Sequence, residues 1–432
     1  MELSLSTVND EWPLSGTDID DAAVIAGAKP SIHICGRRVR QQALVAGLLP
    51  LCIMVLVAAV QRHYVTDAGP PQQHQPQLPS VGIDAGFSDA ISSRPSLLVD
   101  TAQLAQWIGS YAVGHGGRGG LLLLDAREDA AEHIVNSSCA VPWKSLSRWA
   151  AGGANKSVLL PANELQQRFR SCGLQSAELG GLVVIYGDWD VAWGEEGRLL
   201  WSLEYVTQPT QYSGSRYFIL RGGFTAFATQ FPELVSSGTA PAQAAADLGG
   251  GGAVPASALF VAVEQPARRL LKSDVIDGVS QAHRTWLLDS REPAEYTGAI
   301  DPYGVARAGH IAGAVSFPWK TAFRRTESAG GGGGRGLAVD LLPCEDIRLM
   351  VTRALGAAGG GDHSQHSAES VLRGQTIGTY CTGGIRSGFL YFVLRECFTG
   401  AELQAANYDG SMWQWAADPT APMVLGVNAT GS

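Results

Sequence analysis

The sequence predicts an α/β protein made of two similar domains, each a parallel sheet flanked by helices. The chain has 432 residues, of which 45% are hydrophobic and 16% charged, and this is enough for two globular domains and their tails. Short, apolar, β-prone runs alternate with segments of helical periodicity, as in parallel sheets with helical crossovers. The same order of segments occurs twice along the chain, which predicts two copies of one domain.

The most informative segment of the second copy is Tyr380–Ser387, which reads Tyr-Cys-Thr-Gly-Gly-Ile-Arg-Ser. The β-prone run 375–380 predicts a strand, and 387–396 predicts a helix with an apolar face. Cys381 therefore lies between a strand end and a helix N-terminus, where unpaired N–H groups and the helix dipole favour an anion. Arg386 adds positive charge, so we expect a reactive thiolate. The alternative is a buried, inert cysteine before a core helix.

The length of this loop separates two kinds of chemistry. Four residues lie between Cys381 and Arg386. A cysteine phosphatase or an arsenate reductase needs a longer loop, because a phosphatase loop must wrap three equatorial oxygens of a phosphoryl group. The shorter loop makes a smaller cradle, which is better suited to a single terminal sulfur.

Together with three other segments, the loop resembles the rhodanese (sulfurtransferase) family. Thr285–Tyr296 contains an Asp-x-Arg strand end and a short predicted helix, and Ala308–Trp319 contains Gly-His-Ile-Ala-Gly-Ala before an apolar-Pro pair. The family's active loop runs six residues from the cysteine, here Cys381–Arg386. Asn407–Trp415 is similar to the family's closing strand and its end. These pieces occur in the family's order, so the resemblance implies a rhodanese-like second half.

A degraded form of the same pattern occurs in the first half. The matching segments are Gly120–Arg127, His133–Trp143, Leu182–Asp190, Ala192–Leu203 and Tyr217–Phe227. Gly187 and Asp188 stand where the second copy has Cys381. The resemblance therefore implies a silent N-terminal domain and an active C-terminal domain.

The resemblance also implies a mechanism and a set of site residues. Cys381 attacks the outer sulfur of a donor such as thiosulfate, holds it as a persulfide and passes it to an acceptor, cyanide or another thiol. Arg386 binds the anionic end of the donor or holds the loop, while Asp289 and Arg291 support the loop. The remaining expected substrate-binding residues are Thr382, Gly383, Gly384, Ile385 and Ser387, whose N–H groups form an anion nest.

The identity of the donor is left open. Tandem rhodaneses that prefer thiosulfate carry two basic residues after the cysteine, where this chain has Thr382 and Gly383. The 3-mercaptopyruvate sulfurtransferases have small neutral residues there, which is the closer resemblance. Both groups usually have an arginine where Glu295 stands, so one anion contact is missing, and Arg307 is the candidate replacement. A third possibility, from another class, is a membrane-tethered, non-catalytic rhodanese scaffold that docks a partner.

Composition excludes several other partners. The net charge of −9, without a basic run interleaved with aromatics, argues against nucleic acid. None of the seven cysteines forms a Cys-x-x-Cys pair, and His363 and His366 lie in a low-complexity loop. We therefore predict no metal and no cofactor.

An uncharged run at 43–60 predicts a single membrane-spanning signal anchor. Arg37, Arg38 and Arg40 precede it, which predicts a cytosolic N-terminus and a non-cytosolic catalytic part. Glycosylation sequons that begin at Asn136, Asn155 and Asn428 agree with a lumenal or extracellular face, and an organellar membrane is the alternative. The predicted divisions are a polar tail (1–42), the anchor (43–60), a Pro/Gln-rich stalk (61–94), an inactive rhodanese-like domain (95–235), a linker (236–255), the catalytic rhodanese domain (256–424) and a tail (425–432).

Overall fold

The computed structural model describes residues 96–110, 112–113, 120–174, 181–189, 192–208, 217–238, 259–280, 285–327, 337–358, 372–400 and 402–426. By their contacts these residues fall into one compact unit. The predicted N-terminal tail, membrane anchor and stalk lie outside the described residues. Among the helices that are described, none is both long enough and apolar enough to cross a membrane.

The first half of the described chain is built on a parallel sheet. Its strands are β1 (Leu98–Val99), β2 (Ala112–Val113), β3 (Gly120–Asp125), β4 (Glu132–Ile134), β5 (Cys139–Ala140), β6 (Leu182–Tyr186), β7 (Tyr217–Leu220) and β8 (Val235–Ser237). Its helices are α1 (Thr101–Ser110), α2 (Ala162–Ser171), α3 (Glu195–Tyr205) and α4 (Gly223–Gln230). Six strands form the sheet in the order β1-β7-β6-β3-β2, with β5 beside β3, and all of their pairs are parallel.

The second half has a four-stranded parallel sheet. Its strands are β9 (Thr285–Asp289), β10 (His310–Ile311), β11 (Val315–Ser316), β12 (Phe323–Glu327), β13 (Leu337–Leu341), β14 (Gln375–Tyr380), β15 (Leu403–Asn407) and β16 (Met423–Val424). Its helices are α5 (Lys272–Ser280), α6 (Pro293–Tyr296), α7 (Cys344–Ala358), α8 (Arg386–Cys397) and α9 (Ser411–Trp415). The sheet order is β11-β9-β14-β15, with parallel pairs throughout.

These sheets confirm the predicted α/β class, with parallel strands flanked by helices. The first sheet contains the series β7-β6-β3-β5, which has the same order and direction as β15-β14-β9-β11 in the second. In the second sheet Tyr380 pairs with Asp289, and Thr379 pairs with Asn407. The carboxyl ends of three neighbouring strands therefore meet at one edge, which is where open α/β sheets place their functional loops.

Helices α3 and α8 pack directly against each other and join the two halves. Both are almost completely buried along their lengths. They approach closely because glycines face each other: a Cβ on Gly197 would collide with the backbone of Phe389, and one on Gly388 would lie 2.6 Å from the Cα of Arg198. This crossing brings side chains of the first half against the loop that precedes α8.

Three antiparallel pairs of strands lie beside the two parallel sheets: β4 with β8, β10 with β16, and β12 with β13. The connection between β12 and β13, 328–336, lies outside the described residues and contains the glycine run Gly330–Gly334. The segment after the predicted linker packs on the first half: the N–H of Gln265 donates to the carbonyl of Tyr205 at 2.7 Å. The division at 255–256 stays a prediction.

Two disulfides join elements of the described chain, and no sequence pattern indicated their pairing. Cys139, in β5, is bonded to Cys172, directly after α2. Cys344, the first residue of α7, is bonded to Cys397, the last residue of α8. Among the described cysteines only Cys381 is free.

Candidate active site

Cys381 follows directly after β14, and only 1% of its surface is exposed. Its Sγ accepts a hydrogen bond from the backbone N–H of Gly384 at 3.0 Å. Gly384 has a φ of +80°, a conformation that glycine adopts at low cost, and this turns the loop back onto the sulfur. The N–H of Cys381 itself donates to the hydroxyl of Ser411 at 3.2 Å, so hydrogen bonds hold both the side chain and the backbone of this cysteine.

The surroundings of Cys381 lower the pKa of its thiol. Burial acts in the opposite direction, because a buried thiolate loses its hydration. The charge of Arg386 and the backbone N–H groups of Ser387 and Gly383 outweigh that effect. An inert cysteine in an apolar core would show a raised pKa instead, so the loop is suited to hold a nucleophilic thiolate.

Arg386 is paired with Glu295 in a buried, two-pronged ion pair. The guanidinium donates from Nη1 to Oε2 at 2.6 Å and from Nη2 to Oε1 at 2.9 Å. The hydroxyl of Thr382 links the two, since it accepts from Arg386 at 2.9 Å and donates to Glu295 at 3.2 Å. Burial would raise the pKa of Glu295, but Arg386 lowers it, so the carboxylate stays ionised. The positive charge at the loop is thus largely neutralised from behind.

The remaining loop residues predicted to bind substrate lie around the same turn. A Cβ on Gly383 would collide with the ring of Trp413, so the loop and this ring are in close contact. Ile385 is buried in a cluster with Trp143 and Trp413. Ser387, the second residue of α8, donates its hydroxyl to Asn407 Oδ1 at 2.7 Å. The structure therefore brings Thr382, Gly383, Gly384, Ile385, Arg386 and Ser387 together with Cys381.

Asp289 and Arg291 form a buried ion pair at the end of β9. The guanidinium of Arg291 donates to Asp289 at 2.9 Å from Nε and at 2.6 Å from Nη2. It also donates to the carbonyl of Gly309 at 2.8 Å, which holds the chain before β10. These hydrogen bonds stabilise the backbone at the end of β9 and before β10.

Arg307 is engaged elsewhere. Its guanidinium donates to the carbonyls of Ala416 and Ala421 at 3.0 Å each, and to those of Trp415 and Asp418. Within the described part of the chain its hydrogen bonds all go to this turn after α9. The structure does not bring Arg307 to the loop of Cys381 through any of them.

Aromatic rings cover the outer side of the loop. Trp193 and Tyr303 pack edge to face at a centroid distance of 5.4 Å, and the guanidinium carbon of Arg386 lies 5.6 Å and 5.2 Å from their ring centroids. The ammonium of Lys156 lies 4.0 Å over the ring of Trp413. Burial raises the pKa of Tyr303 to about 12. The guanidinium of Arg386 is therefore enclosed by aromatic rings.

The corresponding position of the first half carries no thiol. There the carbonyl of Gly187 accepts from the N–H of Phe224 at 2.8 Å, and Asp188 lies 3.9 Å from Arg127. Arg127 is also paired with Asp125 at 2.8 Å, as Arg291 is with Asp289 in the second half. The Asp–Arg ion pair is thus present in both halves, while the thiol at the end of the matching strand occurs in the second half.

Sequence reasoning missed several residues that shape this site. Ser411 and Asn407 hold the loop by hydrogen bonds. Both lie in Asn407–Trp415, the segment similar to the family's closing strand and its end, for which the sequence predicts no site residue. Tyr303 lies in a connection without a motif. Arg198 comes from α3, and its Nη1 donates to the carbonyl of Gly384 at 3.2 Å. No local pattern marks such a residue, because its partner is far away in the sequence.

Comparison with known proteins identifies sequence relatives of one kind. No protein-family model matches the chain. The thiosulfate sulfurtransferase of Azotobacter vinelandii is 26% identical over 265 residues, which are 61% of this chain and 76% of that protein. SseA of Mycobacterium tuberculosis is 31% identical over 146 residues, which are 32% of this chain and 39% of that protein. These similarities support a rhodanese-like sulfurtransferase, and so an enzyme with a sulfur donor and a sulfur acceptor.

Solved structures share the fold. A variant of EanB in complex with ergothioneine superposes with a TM-score of 0.54 at 16% identity, covering 77% of this chain and 70% of that chain. The anaerobic ergothioneine biosynthesis enzyme of Chlorobium limicola, in complex with trimethyl histidine, gives a TM-score of 0.51, also at 16% identity, over 77% of this chain and 70% of that chain. At this level of identity the likeness concerns the fold alone.

Proposed function

We propose that this chain moves a sulfane sulfur from a donor such as thiosulfate to a thiophilic acceptor, cyanide or a thiol, through a persulfide on Cys381. The observation that carries the proposal is the loop itself. Its only cysteine has a lowered pKa, and its sulfur lies 3.0 Å from the N–H of Gly384. The site thus offers a thiolate and a backbone N–H group, and this N–H can donate a hydrogen bond to a second anionic sulfur.

The reaction balances without an external oxidant or reductant. The thiolate of Cys381 attacks the outer sulfur of thiosulfate, a new S–S bond forms, and the bond to the sulfite group breaks. Sulfite leaves with the electron pair, and the persulfide anion remains on the enzyme. The acceptor then attacks the terminal sulfur, cyanide becomes thiocyanate, and the thiolate of Cys381 returns.

A second candidate donor is 3-mercaptopyruvate, whose carbon–sulfur bond would break in place of the sulfur–sulfur bond. The pairing of Arg386 with Glu295 favours it, because little uncompensated positive charge is left at the loop for a doubly charged donor. Thr382 and Gly383 add no positive charge to the loop. A donor with one carboxylate is less dependent on such charge.

We further propose that the chain contains two rhodanese-like domains, of which the first is silent. The shared strand order of the two sheets and the shared Asp–Arg pair support this arrangement. The absence of a cysteine at Gly187 and Asp188 supports the silent role of the first domain.

For localisation we propose a single-pass membrane protein, anchored by 43–60, with a non-cytosolic catalytic part. Two disulfides in the described chain support this placement, since disulfides persist mainly in oxidising compartments. The exposed Asn136, which begins a sequon, agrees with it.

Mass spectrometry of the intact protein tests the activity. The purified full chain is incubated separately with thiosulfate and with 3-mercaptopyruvate, and its mass is measured before and after cyanide is added. We expect the mass to increase by one sulfur atom and to return with cyanide, with release of thiocyanate. The donor that loads the enzyme at the lower concentration is the preferred one.

Cys381→Ser is the control for this experiment, and it should gain no sulfur from either donor. If the wild-type chain gains no sulfur from any donor tested, the enzymatic proposal fails and the non-catalytic scaffold is favoured. If the Cys381→Ser variant gains as much sulfur as the wild type, Cys381 is not the carrier.

A further inference from the structure

Arg198 is a completely buried arginine of the first half that reaches the active loop of the second. It belongs to α3, and none of its surface is exposed. Its Nη1 donates to the carbonyl of Gly384 at 3.2 Å, and its Nη2 donates to the carbonyl of Ser157 at 2.7 Å. Gly384 is the residue whose N–H faces the sulfur of Cys381. Gly384 is therefore hydrogen-bonded to Arg198 through its carbonyl and to Cys381 through its N–H.

The hydrogen bond to Gly384 controls the direction of the loop's peptide groups. The carbonyl of Gly384 also accepts from Asn407 Nδ2 at 3.3 Å. In a trans peptide the N–H points opposite to the carbonyl, and no described peptide bond is cis. Since Arg198 and Asn407 hold this carbonyl, they also fix the direction of the N–H of Ile385, which points the opposite way across the same peptide.

The guanidinium of Arg198 and the backbone of Gly384 are in close contact. A Cβ on Gly384 would lie 2.5 Å from Nη1 of Arg198. The glycines at the crossing of α3 and α8 allow this approach, because Gly388 brings the backbone of α8 against Arg198. The arginine is thus positioned by the helix crossing, and the loop is shaped around it.

The balance of buried charge points to Cys381 as the counter-ion of Arg198. In the described part of the chain both hydrogen bonds of the Arg198 guanidinium go to carbonyls, and its Nε has no hydrogen-bond partner. The nearby carboxylate of Asp409 is held by Arg269, at 3.1 Å and 2.9 Å. Arg198, Arg269 and Asp409 therefore sum to one positive charge. An uncompensated buried charge is expensive, and the thiolate of Cys381 cancels it.

The other cation at the loop, Arg386, also lowers the pKa of Cys381, but it already has a carboxylate partner in Glu295. The negative charge of Cys381 acts in turn to raise the pKa values of Arg386, Arg198 and Tyr303. Of these, Arg198 is the cation that lacks a carboxylate in hydrogen-bond contact among the described residues. Burial lowers the pKa of Arg198 to about 10, while Asp409 and Cys381 act to raise it, so it remains charged at neutral pH.

We propose that Arg198 is a positioning residue for the reaction at Cys381: its guanidinium fixes the carbonyl of Gly384 and supplies the buried counter-charge of the thiolate and of the persulfide. The half of the chain that lacks a nucleophile thereby contributes to the active site. This inference rests on the proposed role of Cys381 as the nucleophile.

The pH dependence of alkylation tests it without any sulfur donor. The rate at which iodoacetamide modifies Cys381 in the full chain gives the pKa of its thiol. In Arg198→Gln we expect that pKa to rise by about one unit, which slows alkylation about tenfold at a pH below both values. Arg198→Lys, which keeps the charge, should recover most of the shift.

Arg268→Gln is the matched control. Arg268 is another arginine that packs against α3, but it pairs with Glu204 and lies away from the loop. Its loss should lower stability without moving the alkylation pKa. An Arg198→Gln variant that folds and keeps the wild-type alkylation profile would overturn the proposal, as would an equal shift in Arg268→Gln.

Nuclear magnetic resonance gives a second readout if Arg198→Gln does not fold. In the wild-type chain with ¹⁵N-labelled arginine, the side-chain signal that disappears in Arg198→Lys belongs to Arg198. This signal should shift with pH at the pKa found by alkylation, and the shift should be absent in Cys381→Ser. A signal that does not respond to the titration of Cys381 contradicts the proposal. A wild-type chain that takes up no sulfur would defeat the proposed function and leave this result intact.

Discussion

At the scale of single residues, Glu295 sets how much positive charge the active loop presents to a substrate. Its carboxylate accepts hydrogen bonds from both terminal nitrogens of Arg386 and from the hydroxyl of Thr382. Breaking such a buried pair from one side leaves the partner uncompensated. Arg386 then becomes free to attract an anionic donor, and it stabilises the thiolate of Cys381 more strongly. The same ion pair balances the charge of this buried loop.

We therefore predict that Glu295→Gln improves the use of thiosulfate. The glutamine keeps one oxygen acceptor but removes the negative charge, so KM for thiosulfate should fall about threefold to tenfold, in line with one new charge contact of about 1 kcal/mol. The alkylation pKa of Cys381 should fall as well. Glu292→Gln, a neutral variant of the α6 cap three residues away, is the control and should change neither value. A KM for thiosulfate that stays the same or rises in Glu295→Gln would show that the pair does not mask the loop.

At the scale of elements, the crossing of α3 and α8 determines the geometry of the site. The strand β14 and the helix α8 could both be predicted, because a β-prone run and an apolar helical face adjoin Cys381 in the sequence. The crossing could not be predicted, because the close contacts of Gly197 and Gly388 form only when two helices that are distant in the sequence pack together. The same reason hid Arg198 and Ser411, which act on residues that lie far away in the sequence.

Gly197→Ala should therefore disturb both stability and chemistry. Its Cβ would collide with the backbone of Phe389, and backbone cannot yield as a flexible side chain does. We expect a loss of about 1–3 kcal/mol in the free energy of unfolding and slower sulfur uptake by Cys381, because α8 carries the end of the active loop. Chemical denaturation and the mass-gain assay measure the two effects. Gly109→Ala, in α1, is the control: its Cβ would meet nothing within 4 Å, so it should be neutral or slightly stabilising. Equal behaviour of the two variants would contradict a tight crossing.

At the scale of the whole molecule, a second buried network holds the two halves together away from the active loop. Glu204, on α3, accepts hydrogen bonds from Arg268 at 2.7 Å and from Arg395, on α8, at 3.1 Å and 3.0 Å. The hydroxyl of Tyr391 also donates to it, at 2.5 Å. Burial would raise the pKa of Glu204, but the two arginines lower it to about 2. The carboxylate is therefore a stabilising link between the halves as long as it is ionised.

This link predicts a defined window of acid sensitivity. The pKa of Glu204 is depressed in the folded state, so its contribution is complete above the unfolded value of 4.5 and is lost as the pH falls toward about 2. The contribution is about 3 kcal/mol. The difference in unfolding free energy between the wild type and Glu204→Gln should thus be largest at neutral pH and shrink across this window. A difference that is independent of pH between 5 and 2.5 would mean that the carboxylate is not stabilised by its arginines.

The sequence predicted the parallel sheets and the position of Cys381 between a strand and a helix, because each leaves a local pattern. It did not predict the disulfides, since pairing between Cys344 and Cys397 depends on where α7 and α8 meet in space. Arg307 illustrates the opposite problem. Its position beside the Gly309–His310 segment suggested an anion contact, whereas its guanidinium donates to four carbonyls of a turn.

The disulfides and the proposed anchor together predict the topology of the protein in a membrane. If the catalytic part lies on the non-cytosolic side, sealed vesicles should protect it from added protease until detergent is present. Asn136, which is exposed, should carry a glycan in a eukaryotic host, so Asn136→Gln should migrate faster and a glycosidase should remove the difference. Thiol labelling after denaturation without reductant should leave Cys139, Cys172, Cys344 and Cys397 unlabelled, because they are paired. A protease-accessible catalytic part in sealed vesicles, with these four cysteines reduced, would place it on the cytosolic side.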